Sequence, residues 1–521
     1  MTEFRSLLAR RVRVGQSAAT SVVAHPAKLP ASSHPGVARP GPRRAGWLVL
    51  SAAMLMLGCS AAGSGDAGTV GAAGGSGAGG SGGDASISAV TGTKGCTTLL
   101  AKHKQRRLKS IDPQAGAGQG VPDLPRPKKG LPEADPAYGN CVVRVTDHAE
   151  EKLARFARHD YSRRQAFNAD GSRILIGAND GTWHLYDANT LEYVERLSKP
   201  AGDAELQWHP TDPDLLYFMP ANGLGMKLYE LNVKSGSVRE VADFGDRLKK
   251  IWPGAAAAWT KAEGAPSADG RYWCFMVDDA EWHSLGVFAW DMKEDRILGK
   301  MDTKGDRPDH VSMSPSGKYC VVSHTTATGP GTRAYRRDFQ APYGTSTPDA
   351  WLQLHTTSEH SDIALDPQGR DVYVSVDYQS NGGDVFMLNL ETGQRTPLFS
   401  TYPGRTATAL HISGKAYNRP GWVLVSTYAE HPADDSSVQG LHDERRQWLH
   451  RKMFAVSLTE NPDIRSIAYI NSDAFKYEAE PQATVNRNFT RMLFNSTWNG
   501  SSMADQEVFL TAITAQALGS R

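Results

Sequence analysis

The chain has 521 residues, a formal net charge of +1 and 8 % aromatic residues. Nothing in that balance points to a nucleic-acid or strongly acidic partner, so no nucleic acid is expected.

Residues 1–58 read as a signal region. Arg43-Arg44 precede an apolar run from Trp47 to Leu57 that closes at Gly58-Cys59-Ser60. Basic, apolar and small residues in that order make a secretion signal, and the run is too short to span a bilayer comfortably. Residues 1–36 lie ahead of it and are rich in Arg, Ala, Ser and Pro, so Val37 is a candidate initiator and 1–36 an untranslated stretch. MLMLGCS resembles a bacterial lipoprotein box. That resemblance implies a lipid on Cys59, a membrane anchor, and with Ser60 an outer-membrane or cell-surface location. Residues 59–93 are almost wholly Gly, Ala and Ser, a composition that buries nothing and behaves as a flexible tether. Residues 94–140 (HKQRRLK, PRPKKGLPEADP) are basic and Pro-rich and read as a solvated lead-in.

From 141 to 517 one unit recurs. Its pattern is clearest in HDYSRRQAFNADGSRILIGANDGTWHLYDANT, with an Asp170-Gly171 turn, an apolar strand Arg173 to Ile176, an Asp180-Gly181 turn and a strand through Trp183, Leu185 and Tyr186. Apolar runs punctuated by Asp-Gly turns are hairpin grammar. The apolar strand returns as LLYFM, YWCFMV, YCVVSH, DVYVSV, WVLVST and RMLFNS. The spacing of about 43 to 70 residues is that of four-stranded blades. The expected fold is an all-β, seven-bladed β-propeller. VVRVT at Val142–Thr146 is placed to complete the last blade, which ends at VFLTAI, and so to close the ring.

Of the five cysteines, Cys59 is assigned to the lipid, and Cys96 and Cys141 flank the lead-in and are expected to pair after export. Cys274 and Cys320 occupy equivalent strands of neighbouring repeats and are expected to be buried free thiols. Without a CxxC, a thiolate zinc site is not expected.

In a propeller the starts of the innermost strands converge on one mouth of the central channel. His159, Glu205, His310, His360, Glu480 and Gln482 stand about seven to twelve residues before the turns of their units. Imidazole with oxygen donors suits a divalent cation, which makes His310, His360, Glu480 and Gln482 candidate ligands. Two longer excursions, 324–350 and 429–452, carry Arg, Tyr, Trp and His and are candidates for a rim around a sugar or protein ligand, with a short helix at DERRQWLHRK.

VRVTD followed by HDYSRRQAFNADGSRILI and WHLYDANT, then QWHPTDPDLLYF and EAEPQATVNRNFTRMLFNSTWNG, resembles the seven-bladed oligogalacturonate lyases and, more widely, TolB-type, WD-repeat-like propellers. The lyase resemblance implies β-elimination on a polyuronate and a divalent metal, manganese or calcium, bound through His and Gln side chains. His310 and His360 match metal histidines, whereas Glu480 and Gln482 stand where the family carries histidines, and Met219-Pro220-Ala221-Asn222 replaces its His-Glu segment. A metal-independent version would use His159 or Tyr161 as base or acid, with Arg163 or Arg164 neutralising the sugar carboxylate.

The leading expectation is an exported, lipid-anchored, monomeric propeller that binds a polysaccharide or an envelope protein at one face. A uronate polysaccharide lyase is the alternative. A non-catalytic TolB-like subunit of an envelope complex comes third.

Overall fold

Seven strands, one per blade, explain why the repeat is legible. Those of blades three to seven include Tyr272–Asp278, Tyr319–His324, Asp371–Asp377 and Arg491–Ser496, and nearly every residue in them is buried. A strand covered on both faces by neighbouring blades reads as a continuous apolar run. Outer strands have only one neighbour and turn polar: Tyr193–Leu197 (YVERL) and Val238–Asp243 (VREVAD) are largely exposed. Charge on such an edge discourages pairing with another chain.

This computed structural model describes Cys96, Leu108, residues 110–112 and residues 122–519, apart from 325–328, 346, 381–382, 403–405, 433–447 and 473–475. The signal region, the lipid-bearing Cys59 and the Gly-rich tether lie outside the described residues. The strands form seven antiparallel sheets, six of four strands and one of five, so the fold is the expected all-β seven-bladed propeller. Blade one spans residues 157–197, blade two 207–243, blade three 257–302, blade four 308–355, blade five 361–400 and blade six 406–469. The helix Gly245–Ile251 joins blades two and three and buries Leu248.

Blade seven closes the ring. Its strands Thr484–Val485, Arg491–Ser496 and Glu507–Ala512 are joined by Cys141–Arg144, with Cys141 opposite Ala512 and Arg144 opposite Phe509. Glu133–Ala134 then pairs with Cys141–Arg144 as a fifth strand. The described lead-in residues dock onto blades six and seven: Ile111 N–H donates to Ile464 O at 2.7 Å, and Trp498 Nε1–H to Leu124 O at 2.9 Å. Cys96 is disulfide-bonded to Cys141, which fastens the lead-in to the closing strand.

Blades seven and one are also locked by a turn that requires glycine. Gly171 has φ +71°, and a Cβ there would sit 2.2 Å from Arg491 Nη2. That guanidinium donates to Gly171 O at 2.6 Å. Any side chain at 171 costs both the left-handed backbone and the bond.

Two sequence expectations are corrected. Cys274 and Cys320 are not free thiols but a disulfide, with Cα atoms 5.7 Å apart. Tyr272 and Tyr319 are the equivalent residues of the second strands of blades three and four, so Cys274, two residues on, and Cys320, one residue on, point to opposite faces of their sheets, and packing blade on blade brings those faces together. The excursion 324–350 is not all loop: Thr332–Arg336 is the third strand of blade four, paired with Tyr319–His324. Most of the excursion 429–452, including the first half of DERRQWLHRK, lies outside the described residues.

Candidate functional site in the central channel

Arg163 defines the propeller axis. It follows the first strand of blade one, yet its Nη1 lies 2.5 Å from Glu263 Oε2 of blade three and 2.7 Å from His310 Nε2 of blade four. Its Nε–H donates to Ser361 O of blade five, and Nη2–H to Glu359 O at 3.2 Å. One side chain reaches three blades on the far side only in the middle of the ring. Burial works against the guanidinium charge, but Glu263, Tyr161, Asp362 and Asp309 together outweigh it and hold the pKa above the ordinary value. Arg163 is therefore a fixed cation, with its fork already spent on protein acceptors.

Around it lies a charged rim. Asp160, Lys261, Glu263, Asp309, Glu359 and His360 are half-buried. Lys261 Nζ donates to Asp309 Oδ1 at 3.1 Å, and Ser358 Oγ to Asp309 Oδ2 at 3.0 Å. Burial opposes the Asp309 charge, but His310 and Lys261 hold its carboxyl below the usual range. Glu205 is not part of this rim: its carboxylate accepts from Thr260 N–H at 2.8 Å, Thr260 Oγ1 at 2.8 Å and Ala262 N–H, and so shapes the 260–262 segment.

The second half of the site is a largely buried stack supplied by blades five, six and seven. His360 and His411 lie face to face with centroids 4.3 Å apart, His411 stacks on Tyr428 at 4.9 Å, and Tyr161 meets His411 edge-on at 5.4 Å. His411 Nε2 is 2.9 Å from Glu480 Oε2. His360 Nδ1–H donates to Leu410 O at 2.7 Å, which fixes the neutral tautomer. Burial lowers His360 and His411 to about 3, with mutual repulsion adding at His360 and Arg163 adding at His411. Burial raises Glu480 to about 7, against the opposing pull of His360 and Tyr428. A carboxyl that exchanges its proton near neutrality, bonded to an uncharged imidazole, is an acid–base pair suited to proton transfer.

His159 is fully buried beside this stack. Its backbone N–H donates to Asn495 Oδ1 at 3.1 Å and its Nε2 lies 3.4 Å from Pro481 O. Burial lowers it to about 3. Gln482 is fully buried at φ +43°, strained for a residue with a side chain. His159 Nδ1, His411 Nδ1 and Gln482 Oε1 are buried polar atoms without a hydrogen-bond partner among the described residues.

The four candidate metal ligands are divided between the two halves. His310 faces Arg163, Glu263 and Asp309, whereas His360, Glu480 and Gln482 belong to the stack and its surroundings. Among the described residues, two groups bring three possible ligand atoms within 4.8 Å of one another: Glu263, Asp309 and His310 at the rim, and Asp279, Glu281 and His283 on an exposed turn. At the rim the Arg163 guanidinium already bridges Glu263 and His310, so that donor set does not fit a resident divalent ion as it stands. Of the candidate catalytic residues, Tyr161 and His159 flank the stack and Arg163 sits between the halves.

Sequence reasoning missed His411, Tyr428, Glu263 and Asp309. The one available signal was His411 in TATALHI, the blade-six counterpart of SEHSDIAL. It lies inside the strand Thr406–Ser413, whereas His360 precedes its strand, so the two histidines share no repeat position.

The molecule is thus a closed propeller with a polar rim over a buried acid–base stack. No family model and no curated protein sequence matches the chain. Solved structures do. The oligogalacturonate lyase of Vibrio parahaemolyticus is 11 % identical with a TM-score of 0.50, covering 73 % of this chain and 96 % of its own. An oligogalacturonate lyase in complex with manganese is 13 % identical with a TM-score of 0.50, covering 79 % and 99 %. At such identities the likeness establishes the shared propeller fold.

Proposed function

We propose that the protein binds a carbohydrate in the mouth of its central channel. The observation that carries this is the half-buried rim of Asp160, Glu263, Asp309, Glu359 and His360 around the His360–His411–Tyr428 stack. Carboxylates accept hydrogen bonds from sugar hydroxyls, and the ring of His360, the half-buried member of the stack, suits the apolar face of a pyranose. A recess suits a chain end or a loop of glycan better than the flat face of a protein. Calorimetric titration with neutral and acidic oligosaccharides is expected to give binding that His360→Ala weakens at least about tenfold, or ~1.4 kcal/mol. Binding unaffected by that substitution excludes the channel.

A second reading, a uronate lyase, is favoured by the Glu480–His411 pair, whose carboxyl titrates at about 7. In it Glu480 takes or gives the proton and Tyr161, next to His411, serves as its partner. Arg163 is committed to Glu263, Ser361 and Glu359, and Arg164 to Asp160 and Gly264, so neither guanidinium expected to neutralise the sugar carboxylate is open to it. That ranks the reading second, and no step is routed through a metal. The absorbance of unsaturated product from several polyuronates, lost in Glu480→Gln, is the outcome that would reverse the ranking.

Export and lipid anchoring at Cys59 complete the proposal. Their support is that Cys96–Cys141 and Cys274–Cys320 are both disulfides, as in proteins that meet an oxidising compartment. Cys59→Ser is expected to release the protein from the membrane fraction.

A further inference from the structure

A second cleft lies far from the channel mouth. In blade four Pro308, at the mouth end, pairs with His324, whereas Tyr319, at the other end of the same strand, pairs with Arg336. The cleft opens at that far end, between blades three, four and five. It encloses about 640 Å3 and is lined by Arg296, Lys318, Arg336, Arg337, Tyr319 and Tyr343, with Asp338 and Glu391 on its wall. That volume is within the ~300–1,000 Å3 typical of small-molecule sites.

The lining is built in part and unneutralised in part. The Tyr343 hydroxyl donates to Leu390 O at 2.5 Å, and its ring stacks on Tyr319 at 5.5 Å, giving a fixed aromatic wall. Arg337 is held at 4.2 Å over the Tyr272 ring, with Nη1–H donating to Gly317 O at 3.2 Å. Arg336 is paired with Asp338 at 3.1 Å. Arg296 and Lys318 are exposed, and neither forms an ion pair with a carboxylate among the described residues. Arg296 comes from the outer strand of blade three and Lys318 from a turn of blade four, so blade packing and not a local run of charge puts them together.

From this we infer that the cleft is a binding site for a carboxylate-bearing oligosaccharide. Arg296, Lys318 and Arg337 supply cationic donors for sugar carboxylates, and Asp338 and Glu391 accept from sugar hydroxyls. The acidic pair decides the class. A nucleic acid, a phosphorylated headgroup or an acidic peptide presents dense negative charge and is repelled by Glu391, whereas a uronate chain alternates single carboxylates with hydroxyls. The site does not depend on the channel reading, because it shares none of its residues.

The test is calorimetric titration of the full chain with a hexameric polyuronate, its methyl ester and a polyglutamate peptide. The polyuronate is expected to bind more weakly as salt rises, the ester and the peptide at least about tenfold more weakly than the polyuronate, and Arg296→Glu/Lys318→Glu to reduce polyuronate binding at least about tenfold. Channel binding, where present, is the component that His360→Ala weakens and the double reversal spares, so the cleft is read in the His360→Ala background. Failure of polyuronate to bind there, equal binding of the ester, tighter binding of the peptide, or polyuronate binding in that background that survives the double reversal overturns the inference. Should the double variant not fold, the ester and salt comparisons on the His360→Ala protein decide it.

Discussion

Replacing Glu480 by Gln should make the protein more stable, but only at high pH. Burial raises this carboxyl from an ordinary 4.5 to about 7. Between those values the folded protein holds a proton that the unfolded chain releases. The contribution is therefore fully present below pH 4.5 and is lost as pH rises through 7. A difference of about 2.5 at 1.36 kcal/mol each corresponds to about 3 kcal/mol. Gln has no charge to desolvate and still accepts from His411. The variant should match the parent near pH 4 and exceed it by up to about 3 kcal/mol near pH 8. His159, His360 and His411, held at about 3, titrate in the opposite sense and weaken both proteins as pH falls from 6.5 toward 3, so they cancel in the difference. Urea unfolding followed by tryptophan fluorescence across pH 4 to 8.5 reads it directly, with 12 tryptophans as reporters. A difference that does not change with pH, or a parent more stable than the variant at pH 8, refutes the buried-carboxyl account.

Arg163→Met should cost about 3–5 kcal/mol in the same unfolding assay, because it strands Glu263 and two backbone carbonyls, and Arg163→Lys should not restore it, since an ammonium lacks the fork. Cys274→Ser/Cys320→Ser opens a loop of 46 residues and should cost about 4 kcal/mol on the chain-entropy model, read as a lowered urea midpoint. Val143→Pro removes a ladder donor opposite Leu510 in the closing strand and should cost more than about 3 kcal/mol, read as a lowered urea midpoint in one cooperative transition. A separate early transition confined to blade seven would show that the ring does not unfold as a unit.

The architecture was readable because burial writes itself into composition. Strands such as Asp371–Asp377 are covered on both faces and are mostly apolar between their terminal aspartates, and the Asp170-Gly171 turn demands a residue that tolerates positive φ. Where a strand carried charge the reading failed: TRAYR buries Thr332, Ala334 and Tyr335 but shows Arg336 to solvent, and it looked like loop. The site was half legible for a related reason. Repeat position brought out His310, His360, Glu480 and Gln482, since inner strands begin at one mouth. Which of them touch depends on ring curvature and side-chain reach, and neither is encoded in the spacing along the chain. Arg163 crossing the channel to Glu263, and His411 sliding between His360 and Tyr428, are consequences of closure. The Cys274–Cys320 bond belongs to the same class, because only blade-on-blade packing brings the facing sides of two neighbouring second strands together.

Determining the crystal structure of the protein soaked with the tightest-binding oligosaccharide at neutral pH tests the central claim most directly. The account predicts a sugar ring against His360 with hydroxyls on the Glu263 and Asp309 carboxylates. A soaked ligand that leaves the channel empty and occupies only other surfaces would contradict it.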